Sequence, residues 1–383
     1  MNQRYYSLDV FRGATVALMI MVNNPGTWKH IFEPLDHSPW HGCTPTDLVF
    51  PFFLFAVGNA MSFVMPKFEL EGTIYFLKKV IKRALMIFMI GLFLNWSPFI
   101  KWEDHHLIFK VFENVRFMGV LQRISLCYLF GSMIVYFLKA KGALIVSGII
   151  LILYWIMCLA LGNAPDPFSL QGFWGTQFDI HLLGITHVYR GEGVPFDPEG
   201  LSSTLAAIVQ VVLGFSVGQY IQKKGKNYEM LSNLFIAGSG LLFAGYWWDM
   251  IFPINKKIWT SSYTLYTTGL AIITIATLIY FIEFKEKKGA WSSFFDVFGK
   301  NPLFIFFLSG FLPRVLALIR IDNGFDPENK QVYLTPFEWF YENFCKFISS
   351  DLRIGSLVYA IIMIIFYWSI GYILDKKKIY IKV

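Results

Sequence analysis

The feature that most constrains this chain is a series of apolar runs, each roughly 20 residues long, separated by short charged or aromatic-rich segments. They are read at about 7–24, 45–65, 80–99, 116–138, 142–162, 201–222, 231–251, 262–283, 294–312 and 354–374. Such a run is the length a helix needs to cross about 30 Å of hydrocarbon. Unpaired backbone groups are costly there, so only helices or a closed barrel can span, and these runs are long and continuous rather than short and alternating. Of 383 residues, 55% are hydrophobic and only 15% charged, far from the balance of a water-exposed surface. The expectation is an all-α polytopic membrane protein of about ten transmembrane helices, residues 1–383 forming one domain whose solvent is the lipid bilayer. The opening Met1 to Val10 lacks a basic stretch leading into an apolar core with a small-residue cleavage site, so the first run is expected to be retained as a helix.

The net charge of +7 is scattered in clusters between apolar runs rather than laid along one face, which argues for topology and against a nucleic-acid partner. Lys67 to Arg83, Lys139 to Lys141, Lys223 to Lys226, Lys285 to Lys288 and Lys376 to Lys382 are basic and expected in the cytoplasm. The segments 25–44, 100–115, 163–200, 252–261 and 313–353 are longer, mixed in charge and rich in Trp, Pro and Asp, and are expected outside. Both termini then fall in the cytoplasm, as in a multi-pass protein of the cell (cytoplasmic, inner) membrane. Within 313–353, Pro336 to Phe344 reads as a short interfacial helix or re-entrant piece. The cysteines, Cys43, Cys127, Cys158 and Cys345, form no CxxC pair and imply neither a disulfide framework nor a zinc site.

The densest polar segment runs from Asn23 to Asp47 and holds His30, His37 and His41. Histidine exchanges a proton near neutral pH and a neighbouring carboxylate fixes its tautomer, so His37 with Asp36 or Asp47 makes a candidate base; the plainer reading is a hydrogen-bonding loop histidine. A shared metal at His37 and His41 is disfavoured, because Pro39 breaks the helical geometry that i, i+4 ligands need and no third ligand is placed by spacing. His105 and His106, beside Glu103 and Asp104, read as a solvated loop edge. Asp47 after Thr44-Pro-Thr could equally be a helix cap. Asp9, Arg12 and Arg123 lie inside spans, where an ionisable group faces a cavity or a partner; a purely structural Asp–Arg pair is the alternative. Asp197-Pro-Glu-Gly200 reads as a helix-opening turn, and Asn301-Pro302 as a break that frees backbone toward a cavity, or a simple kink.

Arg4, Ser7-Leu-Asp-Val-Phe-Arg-Gly13, Val22-Asn23, His37-Ser-Pro-Trp-His-Gly42 and above all Thr44-Pro-Thr-Asp-Leu-Val-Phe-Pro51 resemble the opening of the heparan-α-glucosaminide N-acetyltransferase family of transmembrane acyltransferases. Gly119-Val-Leu-Gln-Arg123, Asp197-Pro-Glu-Gly200, Phe252-Pro-Ile-Asn-Lys-Lys-Ile-Trp259 with Ser262-Tyr263, and Lys376 to Lys382 continue the series in the same order, over essentially the whole chain. The resemblance implies that acetyl-CoA on the cytoplasmic side donates an acetyl group to the amine of a glucosamine-type sugar on the other face, with no metal. His37 matches the family's catalytic histidine; Asp47 or Asp36 could orient it, and Asp47 is taken with His37 as the catalytic pair. Asn23 and Arg123 match residues near the donor path, to which Arg12, Gln122 and Asn301 are added as candidate acetyl-CoA contacts. Trp40, His41, His187 and Glu199, on the outer face, are candidate acceptor contacts.

There are departures. The family's lysosomal members carry an extra N-terminal luminal region with its own span, a late histidine of the pattern is replaced near Ser309, and the loop between Asn23 and His37 is slightly longer. These leave the donor side intact and the acceptor open. His37 could act as general base in a ternary complex or carry the acetyl group itself. A transporter of sugars or related solutes and an O-acyltransferase of envelope glycans are the competing readings, and a homodimer is possible.

Overall fold

The computed structural model describes residues 5–103, 106–325 and 330–381. Met1, Arg4, Asp104, His105 and Lys382, named above, lie outside them. The described chain is mostly helical: α1 (Tyr6–Asn23), α2 (Val49–Glu71), α3 (Thr73–Trp96), α4 (Val120–Leu161), α5 (Trp174–Leu183), α6 (Leu201–Lys224), α7 (Tyr228–Trp248), α8 (Ser261–Ile279), α9 (Ala290–Lys300), α10 (Pro302–Leu316), α11 (Pro336–Asn343) and α12 (Leu352–Lys376). Two antiparallel hairpins, β1 (Ile100–Glu103) with β2 (His106–Phe109) and β3 (Ile321–Phe325) with β4 (Gln331–Leu334), qualify the all-α expectation. α11 is the short helix expected at Pro336, opened by a capping box in which Thr335 and Glu338 each accept from the other's backbone N–H.

Each of the ten apolar runs lies largely on a helix. Length and composition alone single out fewer among the described residues: Pro45–Glu71, Val120–Leu161, Leu201–Lys224, Tyr228–Trp248, Ser261–Phe284 and Leu352–Lys376, six spans, or seven if α9 and α10, bent by 77° at Asn301-Pro302, make one. α1 is diluted by Asp9 and Arg12, and α3 by Lys78, Lys79, Lys82 and Arg83. α4, at 42 residues, merges two of the runs. Lys139, at φ +55° and ψ −177°, breaks it. Arg123 on the first arm lies over the Trp259 ring, and Tyr154 on the second donates to the carbonyl of Ile258. In a straight helix those residues would stand about 46 Å apart at 1.5 Å per residue. α4 is therefore a hairpin whose two arms run side by side.

Helices in lipid gain little from apolar burial between them and associate instead by close backbone packing at small residues. α2 and α6 do this reciprocally: a Cβ on Gly58 would sit 1.9 Å from the Val211 carbonyl oxygen, and one on Gly214 would sit 2.2 Å from that of Phe55. α1 and α9 repeat it through Gly13 and Gly299.

The bundle has two chemically different ends. At one, which we term the basic end, Arg12 donates to the Gly299 carbonyl, Lys300 pairs with Asp296 and Asp375, and Lys139 with Glu69. At the other, the head, the loops between helices lock together. Gly42 N–H donates to the Ile254 carbonyl at 2.7 Å, Trp40 Nε1 to that of Phe168 at 2.9 Å, and Lys257 pairs with Glu192 at 2.6 Å.

Candidate active site

Pro45 to Leu48 form a single tight turn that delivers Asp47 to the head of α2, 1% exposed. Its carboxylate oxygens divide the work. Oδ2 accepts from Thr44 N–H, Thr44 Oγ1–H and Ser38 N–H, each at 3.1 Å, which is the helix-capping role. Oδ1 faces His37 Nδ1 at 2.7 Å. A carboxylate only accepts, so Nδ1 carries the hydrogen and Nε2 is left as the free base. Tyr263, fully buried, fixes the turn by donating its hydroxyl to the Asp47 carbonyl at 2.5 Å. Asp36 is turned to the His37 backbone N–H, 2.8 Å away, so of the two candidate acids only Asp47 meets the ring.

Lys256 completes the cluster from the loop between α7 and α8. Its Nζ stands 3.0 Å from His37 Nδ1, 3.4 Å from Nε2 and 3.4 Å from Asp47 Oδ1. Burial lowers the basicity of this amine, and Asp47 and Glu199 only partly restore it. Behind it, Arg116 donates to both Asp197 and Glu199. Burial pushes the Glu199 carboxyl up, but Arg116, with Arg123 beyond it, more than offsets this and holds it below its usual range.

These groups close one end of an otherwise apolar cavity of about 150 Å³. His37, Lys256, Glu199, Asn23 and Thr46 supply its polar wall, and residues such as Met19, Phe50, Phe53, Ile124 and Phe306 the rest. Such a slot suits a narrow, mostly apolar arm with a reactive group at its tip.

The structure thus brings together His37, Asp47, Asn23 and Glu199. Arg123 and Gln122 follow one helical step behind. Arg123 is fully buried, donates to Ser203 Oγ and the Gly200 carbonyl, and has Nε and Nη1 without a partner among the described residues. Trp40 and His41 lie on the head surface; burial lowers the basicity of His41, which Asp166 and Asp249 oppose. His187 stacks on Phe117 at 3.8 Å, its Nδ1 2.7 Å from the Val115 carbonyl, a packed position away from the cluster. Arg12 and Asn301 belong to the basic end. Arg12 holds α9 and lines a separate cavity of about 290 Å³ with Asp9 and Asn59, and Asn301 fastens the C-terminal segment through Ile379 and Ile381. Among the described residues no group of three His, Cys, Asp or Glu could hold a metal ion.

Lys256 and Arg116 were not singled out from the sequence. Lys256 sits within the Phe252 to Trp259 motif, and a lysine pair in an outer loop was the available signal; Arg116 opens the fourth apolar run, and its partners Asp197 and Glu199 lie some 80 residues on, out of reach of any local pattern.

Compared with known proteins, residues 4–178 match the family model described as heparan-alpha-glucosaminide N-acetyltransferase, catalytic. Proteins named heparan-alpha-glucosaminide N-acetyltransferase from mouse and human are each 24% identical to this chain, over 99% of its length and 60% of theirs. The chain therefore spans about 60% of the length of these relatives. His37 and Asp47 fall inside the matched region; Glu199 and Lys256 lie beyond it.

Proposed function

Because this chain belongs to the heparan-α-glucosaminide N-acetyltransferase-like family, we propose that it is a transmembrane acetyltransferase. In this reading it moves an acetyl group from acetyl-CoA at the basic, cytoplasmic end to the amine of a glucosamine-type sugar at the head. Counting α1, α3, both arms of α4 and the bent α9–α10 pair with the remaining long helices gives ten crossings, which leaves both termini in the cytoplasm of a multi-pass cell-membrane protein. The observation that carries this reading is the His37–Asp47–Lys256 cluster at the tip of an apolar slot.

Acetyl-CoA is a polyanion whose nucleotide stays at the basic end, where Arg12 lines a cavity. Its pantetheine arm would extend between helices to place the thioester beside His37. His37 Nε2 takes a proton from the incoming amine as nitrogen attacks the carbonyl carbon. The carbon–sulfur bond then breaks, and the proton passes to the departing thiolate, giving the N-acetyl sugar and CoA thiol. In the variant route Nε2 itself accepts the acetyl group and passes it to the amine. Asp47 holds the ring and its tautomer, and Lys256 donates to the carbonyl oxygen as it gains charge.

The test is purified protein with labelled acetyl-CoA and glucosamine. Wild type should yield N-acetylglucosamine, and His37→Ala, with an unchanged gel-filtration profile, none. A well-folded His37→Ala that retains activity would overturn the assignment. Label held on His37 without acceptor separates the two routes.

A further inference from the structure

Lys256 stands in the slot as more than a hydrogen-bond donor. Its Nζ lies 3.0 Å from His37 Nδ1 and 3.4 Å from Nε2, and both side chains line the same cavity of about 150 Å³. The turn that carries it is fixed. Asn255 N–H donates to Thr260 Oγ1 at 3.0 Å, Thr260 N–H returns to the Asn255 carbonyl at 3.1 Å, and Asn255 Oδ1 accepts from Ile258 N–H at 3.0 Å. Any reactive group placed beside His37 is therefore also beside a primary amine, the functional group that a glucosamine-type acceptor would bring.

An amine attacks only when uncharged, and burial lowers the basicity of Lys256 against the pull of Asp47 and Glu199. His37 Nε2, left as the free base by the Nδ1 hydrogen on Asp47, is near enough to take the proton that such an attack releases. The neighbouring thiol is a poorer nucleophile. Burial, with Asp47 adding to it against Lys256, pushes Cys43 up to about 12, so it keeps its proton, and its Sγ donates to the Thr44 carbonyl at 3.6 Å. Lys257, next in the chain, gives the contrast. The two lysine side chains are equally exposed, at 20% and 19%, but Lys257 is held by Glu192 at 2.6 Å, lies over the Trp40 ring and does not line the slot.

We propose that Lys256 is a self-acetylation site: when an acetyl thioester occupies the slot and no acceptor amine does, Nζ takes the acetyl group and the protein is silenced. The proposal rests on the acetyltransferase reading for the source of the thioester. Nζ bonds to the carbonyl carbon, the carbon–sulfur bond breaks, and the proton lost by nitrogen passes through His37 Nε2 to the thiolate, leaving an acetylated lysine and a free thiol. The resulting amide carries no charge. It gives up the 3.4 Å ion pair with Asp47, withdraws the donor aimed at the carbonyl oxygen, and adds an acetyl group to the reactive end of the slot. An acceptor in place protects Lys256 by consuming the acetyl group first, so the modification records donor supplied without acceptor.

The experiment incubates the purified full chain in detergent with acetyl-CoA alone, then follows acetyl occupancy at each lysine by peptide mass spectrometry beside residual transfer to glucosamine. Lys256 should be acetylated at least about a hundredfold faster than Lys257, a small part of what holding an amine beside its reactant can give. Activity should fall in step with Lys256 occupancy, and glucosamine present from the start should prevent both. The mark is an amide and survives hydroxylamine, whereas an acetyl group on His37 does not, so the two addresses are told apart. His37→Ala should slow the labelling of Lys256 at least about a hundredfold by removing the base. Sugar transfer with Lys256 unmodified, equal labelling of Lys256 and Lys257, or full activity at complete occupancy overturns the proposal and leaves the transferase reading standing. Stable label on Lys256 with no transfer to the sugar supports the proposal and overturns the sugar as acceptor, and neither label nor transfer overturns both. The decisive readings are made on the wild type, so a variant that fails to fold does not decide the outcome.

Discussion

Replacing Asp47 by asparagine tests the division of labour between its two oxygens. Oδ2 serves three donors, from Thr44 and Ser38, so the amide oxygen of the substituted side chain is drawn to that side. Its NH2 then stands where Oδ1 was, 2.7 Å from His37 Nδ1, and two donors face each other. The imidazole relieves this by moving its hydrogen to Nε2, which ceases to be a base. An inverted tautomer of this kind costs about 10⁴ in kcat, or about 5 kcal/mol of barrier. The cap survives, because asparagine accepts as aspartate does, so stability should fall by no more than about 1 kcal/mol. The assay is initial-rate acetyl transfer on protein matched by gel filtration and thermal midpoint. The expected result is a rate at the detection limit with an unshifted KM for acetyl-CoA. An Asp47→Asn protein keeping more than a tenth of wild-type kcat would refute the orienting role, and one that fails to fold would refute the claim that asparagine preserves the cap.

Three further outcomes follow from the packing and charge around the site. Asp179 accepts from Ser202 N–H and Oγ–H at the head of α6, and burial raises its carboxyl to about 6 despite those bonds. The folded protein therefore keeps a proton there that the unfolded chain, titrating near 3.9, gives up. Its stability should fall by about 3 kcal/mol as pH rises from about 4 to about 6, and the difference in thermal midpoint between wild type and Asp179→Asn should open over that window. Arg116→Met leaves the buried Asp197 and Glu199 without their cation and should destabilise the head by about 3–5 kcal/mol, read by thermal unfolding in detergent. Gly58→Val drives a side chain into the Val211 carbonyl and should abolish a monodisperse gel-filtration peak, whereas Gly240→Ala, with nothing within 4 Å, should leave it intact.

Much of this was legible in the sequence because lipid leaves the backbone so few choices. The turn in α4 could be read from Lys139 to Lys141, since cations interrupt an apolar run where the chain must surface. The bend at Asn301-Pro302 could be read from proline's missing N–H. Of the two candidate acids the residues left open, Asp36 adjoins His37 yet meets only its backbone, and the ten-residue loop folds back to give the ring to Asp47. Lys256 was out of reach for the same reason: its contact with His37 depends on how α7 and α8 pack, which no local pattern encodes. Arg12 shows a different limit. Grouped from sequence with Asn23, it lies about 16 Å further down the same helix, at the opposite end from His37. Local motifs identify chemistry, and depth along a span decides whether two of them can meet.

The backbone bond from Gly42 to Ile254 and the Tyr263 hydroxyl on Asp47 join segments more than 200 residues apart in the chain. They rivet the loop bearing His37 to the loop bearing Lys256, so the two halves of the reactive cluster travel as one rigid plate. A plate of this kind cannot serve as its own door. On the proposed reading, the movement that admits and releases a sugar falls to another side, and where α10 meets α3 the described residues touch through the rings of Phe93, Phe307 and Phe311, contacts that can slide without breaking hydrogen bonds.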